Sequence, residues 1–211
     1  MPILFKDRDE AGQRLAESYQ GPRHDVVVLG IPRGGLPVGY PLAQSVGGVL
    51  DVIVVRKLPI PYNPEAGFGA IAPDGSIVIN EEMMRSLRLP EEQVREIAAQ
   101  VLVEVRRRES AYRGDRPFPD LKGKNVVLTD DGLATGITMI AAIKMARKLG
   151  AEQVIVAVPV SPVDTADRIR PLADHFHCLY FSSHYPYAVA SFYRDFHDMS
   201  DAEVLRYLEE W

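Results

Sequence analysis

The chain has 211 residues, 46% of them apolar and 25% charged, with a formal net charge of −5. That is enough apolar material to bury a core in one domain of ordinary size. The acidic balance argues against a general nucleic-acid binder, whose affinity rests on clustered Lys and Arg, but it leaves room for a local basic pocket. The single cysteine, Cys178, has no internal disulfide partner and fits a reducing cytoplasm. No stretch approaches the ~20 apolar residues of a membrane span. The opening MPILFKDRDEAGQRLAE lacks the basic-then-apolar order of a secretion signal and reads as an amphipathic first helix.

In chain order, short apolar runs alternate with helical patterns. Runs at residues 26–29, 52–55, 126–128 and 154–158, with a weaker one at 178–181, are Val/Ile/Leu-rich and suit parallel strands buried on both faces. Helical spacing follows at 36–46, at 138–149 before Gly150, and at 164–173. The βαβα order predicts a doubly wound α/β sheet. Two stretches depart from it. Residues 68–80 read as a hairpin around Pro73-Asp74-Gly75. A long helix follows, with Pro90, Glu91 and Glu92 at its start, Val94, Ile97, Val101 and Val105 on one face, and an end near Gly114. The charged run 104–109 reads as its solvated face. Ser200 and Glu203 form a capping box for a last short helix.

The stretch 126–138, VVLTDDGLATGIT, carries the chemistry. Ligands of open α/β sheets bind at the C-terminal strand ends, and the apolar run delivers Asp130 and Asp131 there. Small residues Ala134, Thr135 and Gly136 then lead into a helix. Such a loop lets backbone N–H groups surround an anion, and the helix N-terminus adds favourable partial charge. Thr135 and Thr138 add hydroxyl donors. Carboxylates repel phosphate, so the acids should face another part of the ligand; vicinal ribose hydroxyls, directly or through a divalent ion, fit. There is no Gly-Lys-Ser/Thr for a Walker loop and no Gly-x-Gly-x-x-Gly. The bland alternative is a turn at Asp131-Gly132 with Thr138 as a helix cap.

The same segment resembles the signature of type I phosphoribosyltransferases, which bind 5-phosphoribosyl-1-pyrophosphate (PRPP): an apolar strand, two acids and a loop ending Thr-Gly-x-Thr. It departs at Thr129 and Gly132, where apolar residues are common. LGIPRGGLPVG, DVIVVRKLPIPYNPEAGFGAIAPDG and AVASFYRDF extend the likeness to a group of uncertain substrate. The resemblance implies one such domain over 1–211, with a hairpin and long-helix insertion at about 59–115 and a hood at about 182–211. It implies PRPP contacts from Asp130, Asp131, Gly132, Leu133, Ala134, Thr135, Gly136 and Thr138, and a pyrophosphate loop with Arg33 and Gly34. That loop often holds a non-proline cis peptide, which is unreadable from sequence. Arg56 and Lys57, at the end of the run 52–55, serve the leaving pyrophosphate or a subunit contact. Asp130, Asp131, Arg33 and Lys57 are the expected catalytic set.

Residues 59–69 are expected to form a mobile cover, with Glu65 its one acid, either positioning a nucleophile or solvated. Tyr187 and Phe192 offer ring faces to an acceptor and Asp195 a hydrogen-bond acceptor, or the rings form a small aromatic core with Asp195 fixing a turn. The resemblance further implies Mg2+, held by Asp130 and Asp131 directly or through water, and a homodimer. The implied reaction transfers a phosphoribosyl group to a ring nitrogen with release of pyrophosphate. Enzymes for 6-oxopurines usually carry an acid where this chain has Ala134, so the loop is nearer the adenine or orotate type. Two other readings stand beside this one: a non-catalytic PRPP or nucleotide sensor, and a sugar-phosphate hydrolase or phosphorylase.

Overall fold

The computed structural model describes residues 3–211; of Pro64 and Glu65 only the backbone is described. Five strands form a parallel sheet: β1 (Val26–Gly30), β2 (Val49–Val52), β6 (Asn125–Thr129), β7 (Gln153–Pro162) and β8 (His175–Ser182), in the order β2-β1-β6-β7-β8. Between β2 and β6 lies a separate antiparallel sheet of β3 (Arg56–Ile60), β4 (Asn63–Ile71) and β5 (Ile77–Ile79). The helices are α1 (Arg8–Ser18), α2 (Gly35–Val46), α3 (Glu81–Leu87), α4 (Glu91–Arg113), α5 (Ile137–Lys148), α6 (Val163–Ile169) and α7 (Asp201–Glu209).

The apolar runs become parallel strands because alternate side chains serve two different cores. Val26, Val28, Val127, Ile155 and Ala157 meet α2 residues such as Leu36, Val38 and Leu42 on one face. Val27, Leu29, Val126, Leu128, Val154 and Val156 meet α5 residues Met139, Ala142 and Ile143 on the other. The chain therefore leaves β1 over one face toward β2, and leaves β6 over the opposite face toward β7. Between β1 and β6 lies the topological switch point, where the strand ends open a crevice.

Two sequence expectations change. The run 52–55 is not the second strand: β2 ends at Val52, because its only neighbour, β1, ends at Gly30. Ile53 donates the last bond, to Gly30 O at 3.0 Å. Residues 53–55 are apolar because they are buried between the two sheets, not because they pair. Arg56 and Lys57 accordingly open β3 and do not end a parallel strand. The stretch 59–69 is likewise not an irregular loop but a β3–β4 hairpin, irregular only around Pro59. Pro59 is tolerated because β3 is an edge strand.

Other readings hold. The β4–β5 turn is fixed by Asp74, which accepts from Ser76 N and Oγ. Helix α4 stops at Gly114, whose φ is 58°. The Ser200–Glu203 capping box is formed in both directions. The segment after β8 recruits the N-terminus: Leu4 and Phe5 donate to Phe192 O, and Phe5 bridges Tyr193.

Candidate functional site

Both loops at the switch point are built by close approach. Beyond β1 the chain turns through residues 31–34, with a cis Pro32–Arg33 peptide, and enters α2. Ile31 N donates to Thr129 O at 2.9 Å, and Thr129 Oγ1 donates to Gly35 O at 3.1 Å, which ties this turn to β6. Gly34 abuts Asp131: a Cβ there would lie 2.0 Å from Asp131 Oδ2. Only glycine permits that contact.

Asp130 and Asp131 follow β6 as expected. Burial raises the Asp130 pKa well above the ordinary carboxylate value, and the neighbouring Asp131 charge raises it further. Asp130 Oδ1 accepts from Asp131 N at 2.9 Å. No side chain pairs with Asp130 among the described residues. Asp131 is also raised by burial, opposed by Arg8, whose Nε donates to Asp131 Oδ2 at 2.7 Å. Tyr193 donates its hydroxyl to Asp131 O.

The loop after the acids is a cradle of N–H groups. Its carbonyls face outward: Ala134 O accepts from Thr165 Oγ1 at 2.7 Å, and Thr135 O from Arg168 Nη2 at 3.1 Å. Among the described residues, the N–H groups of Ala134, Thr135 and Gly136 have no acceptor. The φ of +73° at Gly136 turns the chain into α5, whose first N–H groups are also unpaired within the helix. These groups, with Thr138 and Lys57, line a recess of about 160 Å³. Converging N–H groups of this kind suit an anion. Leu133 is an exception to the expected donor set. It is buried and its N–H is committed to Val160 O at 2.9 Å, so it anchors the loop. Gly132 packs against Val160 and Val189, leaving no room for a larger residue.

On the other side of Asp131 a cleft of about 430 Å³ is lined by Arg8, Arg33, Gly34, Arg108, Asp130 and Asp198, among others. Lys57 therefore reaches the cradle and Arg33 the cleft. Arg56 reaches neither, and pairs with Glu104 of α4 at 3.2 Å. The run 104–109 is only partly a solvated face, since Glu104 gathers Arg56, Arg107 and Arg108.

A third hollow, of about 540 Å³, lies beside Ala134 and Thr135 and is lined by Pro162, Arg168, Tyr185 and Tyr187, among others. Tyr187, one of the residues expected to meet an acceptor, lines this hollow. Phe192 is not: it is fully buried against Phe5, Val160 and Tyr193 and has no face to offer. Asp195 is also displaced from the role expected of it. It is exposed, pairs with His197 at 3.4 Å and lines a separate small hollow with Asp7 and Tyr207. The side chain of Glu65 lies outside the described residues.

Sequence reasoning missed Arg8, Thr165 and Arg168. Arg8 and Asp131 are 123 residues apart, and no spacing rule joins them. The one available signal was a cation in the first turn of a helix, where the dipole disfavours it. No group of three or more His, Cys, Asp or Glu able to hold a metal occurs among the described residues.

The geometry is that of an α/β sheet with converging N–H groups and paired acids at its switch point. The model of the phosphoribosyl transferase domain matches residues 71–196, and the chain belongs to that family. A relative from Mycobacterium tuberculosis H37Rv, Rv0571c, named only provisionally as a phosphoribosyl transferase, is 42% identical over 98% of this chain. The alignment covers 46% of that relative, so the chain spans about half the length of the curated proteins it matches. An amidophosphoribosyltransferase from Rhizobium etli is 26% identical over 82% of the chain and 29% of its own length. The crystal structure of TT1426 from Thermus thermophilus superposes with a TM-score of 0.78 at 37% identity, covering 99% of both chains.

Proposed function

We propose that the protein binds PRPP and transfers its phosphoribosyl group to a nitrogenous acceptor, a nucleobase being the first candidate, with release of pyrophosphate. The observation that carries this reading is the cradle of unsatisfied N–H groups at Ala134, Thr135 and Gly136 beside two partly buried acids. The 5′-phosphate sits in the cradle with Thr138 and Lys57. The vicinal hydroxyls of the ribose lie against Asp130 and Asp131. Pyrophosphate occupies the cleft at Arg33 and Gly34, and the acceptor enters the hollow at Tyr187. Little covalent work falls on the protein: it holds both partners in line and stabilises charge as the glycosidic bond breaks.

A magnesium ion fits this site in one manner. Asp130 has a free carboxylate oxygen and no cationic side chain on it, but no all-protein cage surrounds it. The ion would share Asp130, and Asp131 through water, with ligand oxygens. When bound it neutralises the leaving pyrophosphate. The reading includes a homodimer, tested by sedimentation, and a reducing cytoplasm, consistent with the lone Cys178; no helix among the described residues is long and apolar enough to cross a membrane.

The test is pyrophosphate release from PRPP and magnesium across a panel of nucleobases. Release that depends on one class of base supports transfer. Release without any base shows hydrolysis instead, and tight binding without release shows a sensor.

A further inference from the structure

Two arginines that line the cleft are held in the same way, each with one bond to the same short segment. Arg8, from the first turn of α1, gives Nε to Asp131 Oδ2 at 2.7 Å and Nη1 to His197 O at 2.9 Å. Its guanidinium lies over the Phe196 ring, 3.8 Å from the centroid. Arg33, from the turn before α2, gives Nε to Asp201 Oδ1 at 3.0 Å and Nη1 to Met199 O at 2.6 Å. The Asp201 carboxylate is itself fixed by the Tyr112 hydroxyl of α4. Each arginine thus spends two donors on one carboxylate and one carbonyl, and both carbonyls belong to residues 197–199. Neither arginine gives Nη2 to a carboxylate or carbonyl among the described residues, the Tyr112 hydroxyl lies against Arg33 as well as Asp201, and both arginines line the 430 Å³ cleft.

The geometry points to a preorganised two-arginine clamp for the pyrophosphate group, with Arg8 as a second binding arm and Asp201 and Tyr112 as positioning residues for Arg33. This rests on the PRPP reading above and extends it to residues outside every motif. A guanidinium whose Nε and one amino group are already bound has lost its rotamer freedom before the ligand arrives, so less entropy is lost on binding. Two such groups facing one cleft match an anion with several oxygens on two phosphorus atoms. Arg8 also couples the two ends of the ligand. The atom it holds belongs to Asp131, the acid assigned to ribose, while its side chain lines the cleft assigned to pyrophosphate.

The experiment is calorimetric titration with magnesium pyrophosphate alone and with ribose 5-phosphate alone. It compares wild-type protein, Asp201→Asn, Arg8→Lys and Leu208→Ala. Arg8→Lys can keep the charge pairing to Asp131 but loses the fork. Leu208→Ala loosens α7 without touching either arginine. The clamp predicts that Asp201→Asn and Arg8→Lys each weaken pyrophosphate about tenfold, equivalent to ~1.4 kcal/mol. Ribose 5-phosphate should stay within about twofold for Asp201→Asn, a change below ~0.5 kcal/mol, and should weaken less than pyrophosphate for Arg8→Lys. Leu208→Ala should leave the ratio of the two affinities at the wild-type value. Equal weakening of both ligands by Asp201→Asn, or no weakening, with wild-type binding intact, overturns the clamp alone. Wild-type protein that binds neither ligand overturns the PRPP reading and the clamp with it.

Discussion

Asp130 is a carboxylate in a place that opposes its ionisation. Burial and the adjacent Asp131 raise its pKa in the folded protein above the unfolded value near 3.8. A raised acid favours folding fully below the unfolded pKa, and that contribution is lost as pH rises through the folded value. At pH 7 Asp130 therefore destabilises the fold. Asp130→Asn should raise the melting temperature at pH 7, and the gain should vanish below about pH 4, where the native acid is protonated as well. A gain that is independent of pH, or a loss at pH 7, contradicts this account. Such a cost is expected where a charge is kept for a ligand. Gly34 makes the complementary case from sterics. An added Cβ would lie 2.0 Å from Asp131 Oδ2. Gly34→Ala should cost about 1–3 kcal/mol in urea unfolding, from overpacking, and should weaken PRPP binding because Asp131 is displaced.

Among the elements, α4 matters most to the site, since it carries Tyr112 and Arg108. It is joined to the parallel sheet at its far end by Arg113, whose side chain is only 5% exposed. Arg113 reaches both oxygens of Asp51 at 3.3 Å, Val52 O at 2.9 Å and Glu109 at 2.6 Å. Arg113→Met should cost about 3–5 kcal/mol in urea unfolding, because it leaves Asp51 buried and unpaired. Adding Asp51→Asn should recover much of that loss; strict additivity of the two changes would show that they do not act as a pair. Most elements were legible in the sequence because local rules specify them. Continuous Val/Ile runs mark β1, β6 and β7, Gly114 marks the end of α4, and Ser200 with Glu203 marks the start of α7. The limits of β2 were not legible. Residues 53–55 are as apolar as a strand, and only the length of its neighbour β1 decides where pairing stops. The short helix α3 also escaped, since it has no buried residue to create a pattern.

At the scale of the molecule, the site depends on contacts between chain ends. Phe5 is buried in a small core with Phe192, Tyr193 and Val160, and Arg8 follows three residues later. Phe5→Ala should destabilise by about 3–5 kcal/mol in thermal or urea unfolding. It should also weaken pyrophosphate more than ribose 5-phosphate, because Arg8 loses its support. The phosphate cradle was readable because its donors are consecutive in sequence. The cleft was not, because Arg8, Arg33, Arg108 and Asp131 come from four separate stretches of the chain. For the same reason one aromatic-rich run does not tell Phe192, which is buried in the core, and Asp195, which is exposed and pairs with His197, from residues that meet a ligand. The most direct test of the central claim is calorimetric titration of the protein with PRPP and magnesium. The account predicts one saturable site, strongly weakened in the Asp130→Asn/Asp131→Asn double variant while that variant remains folded. No saturable heat at millimolar PRPP, or undiminished binding by the folded double variant, would contradict it.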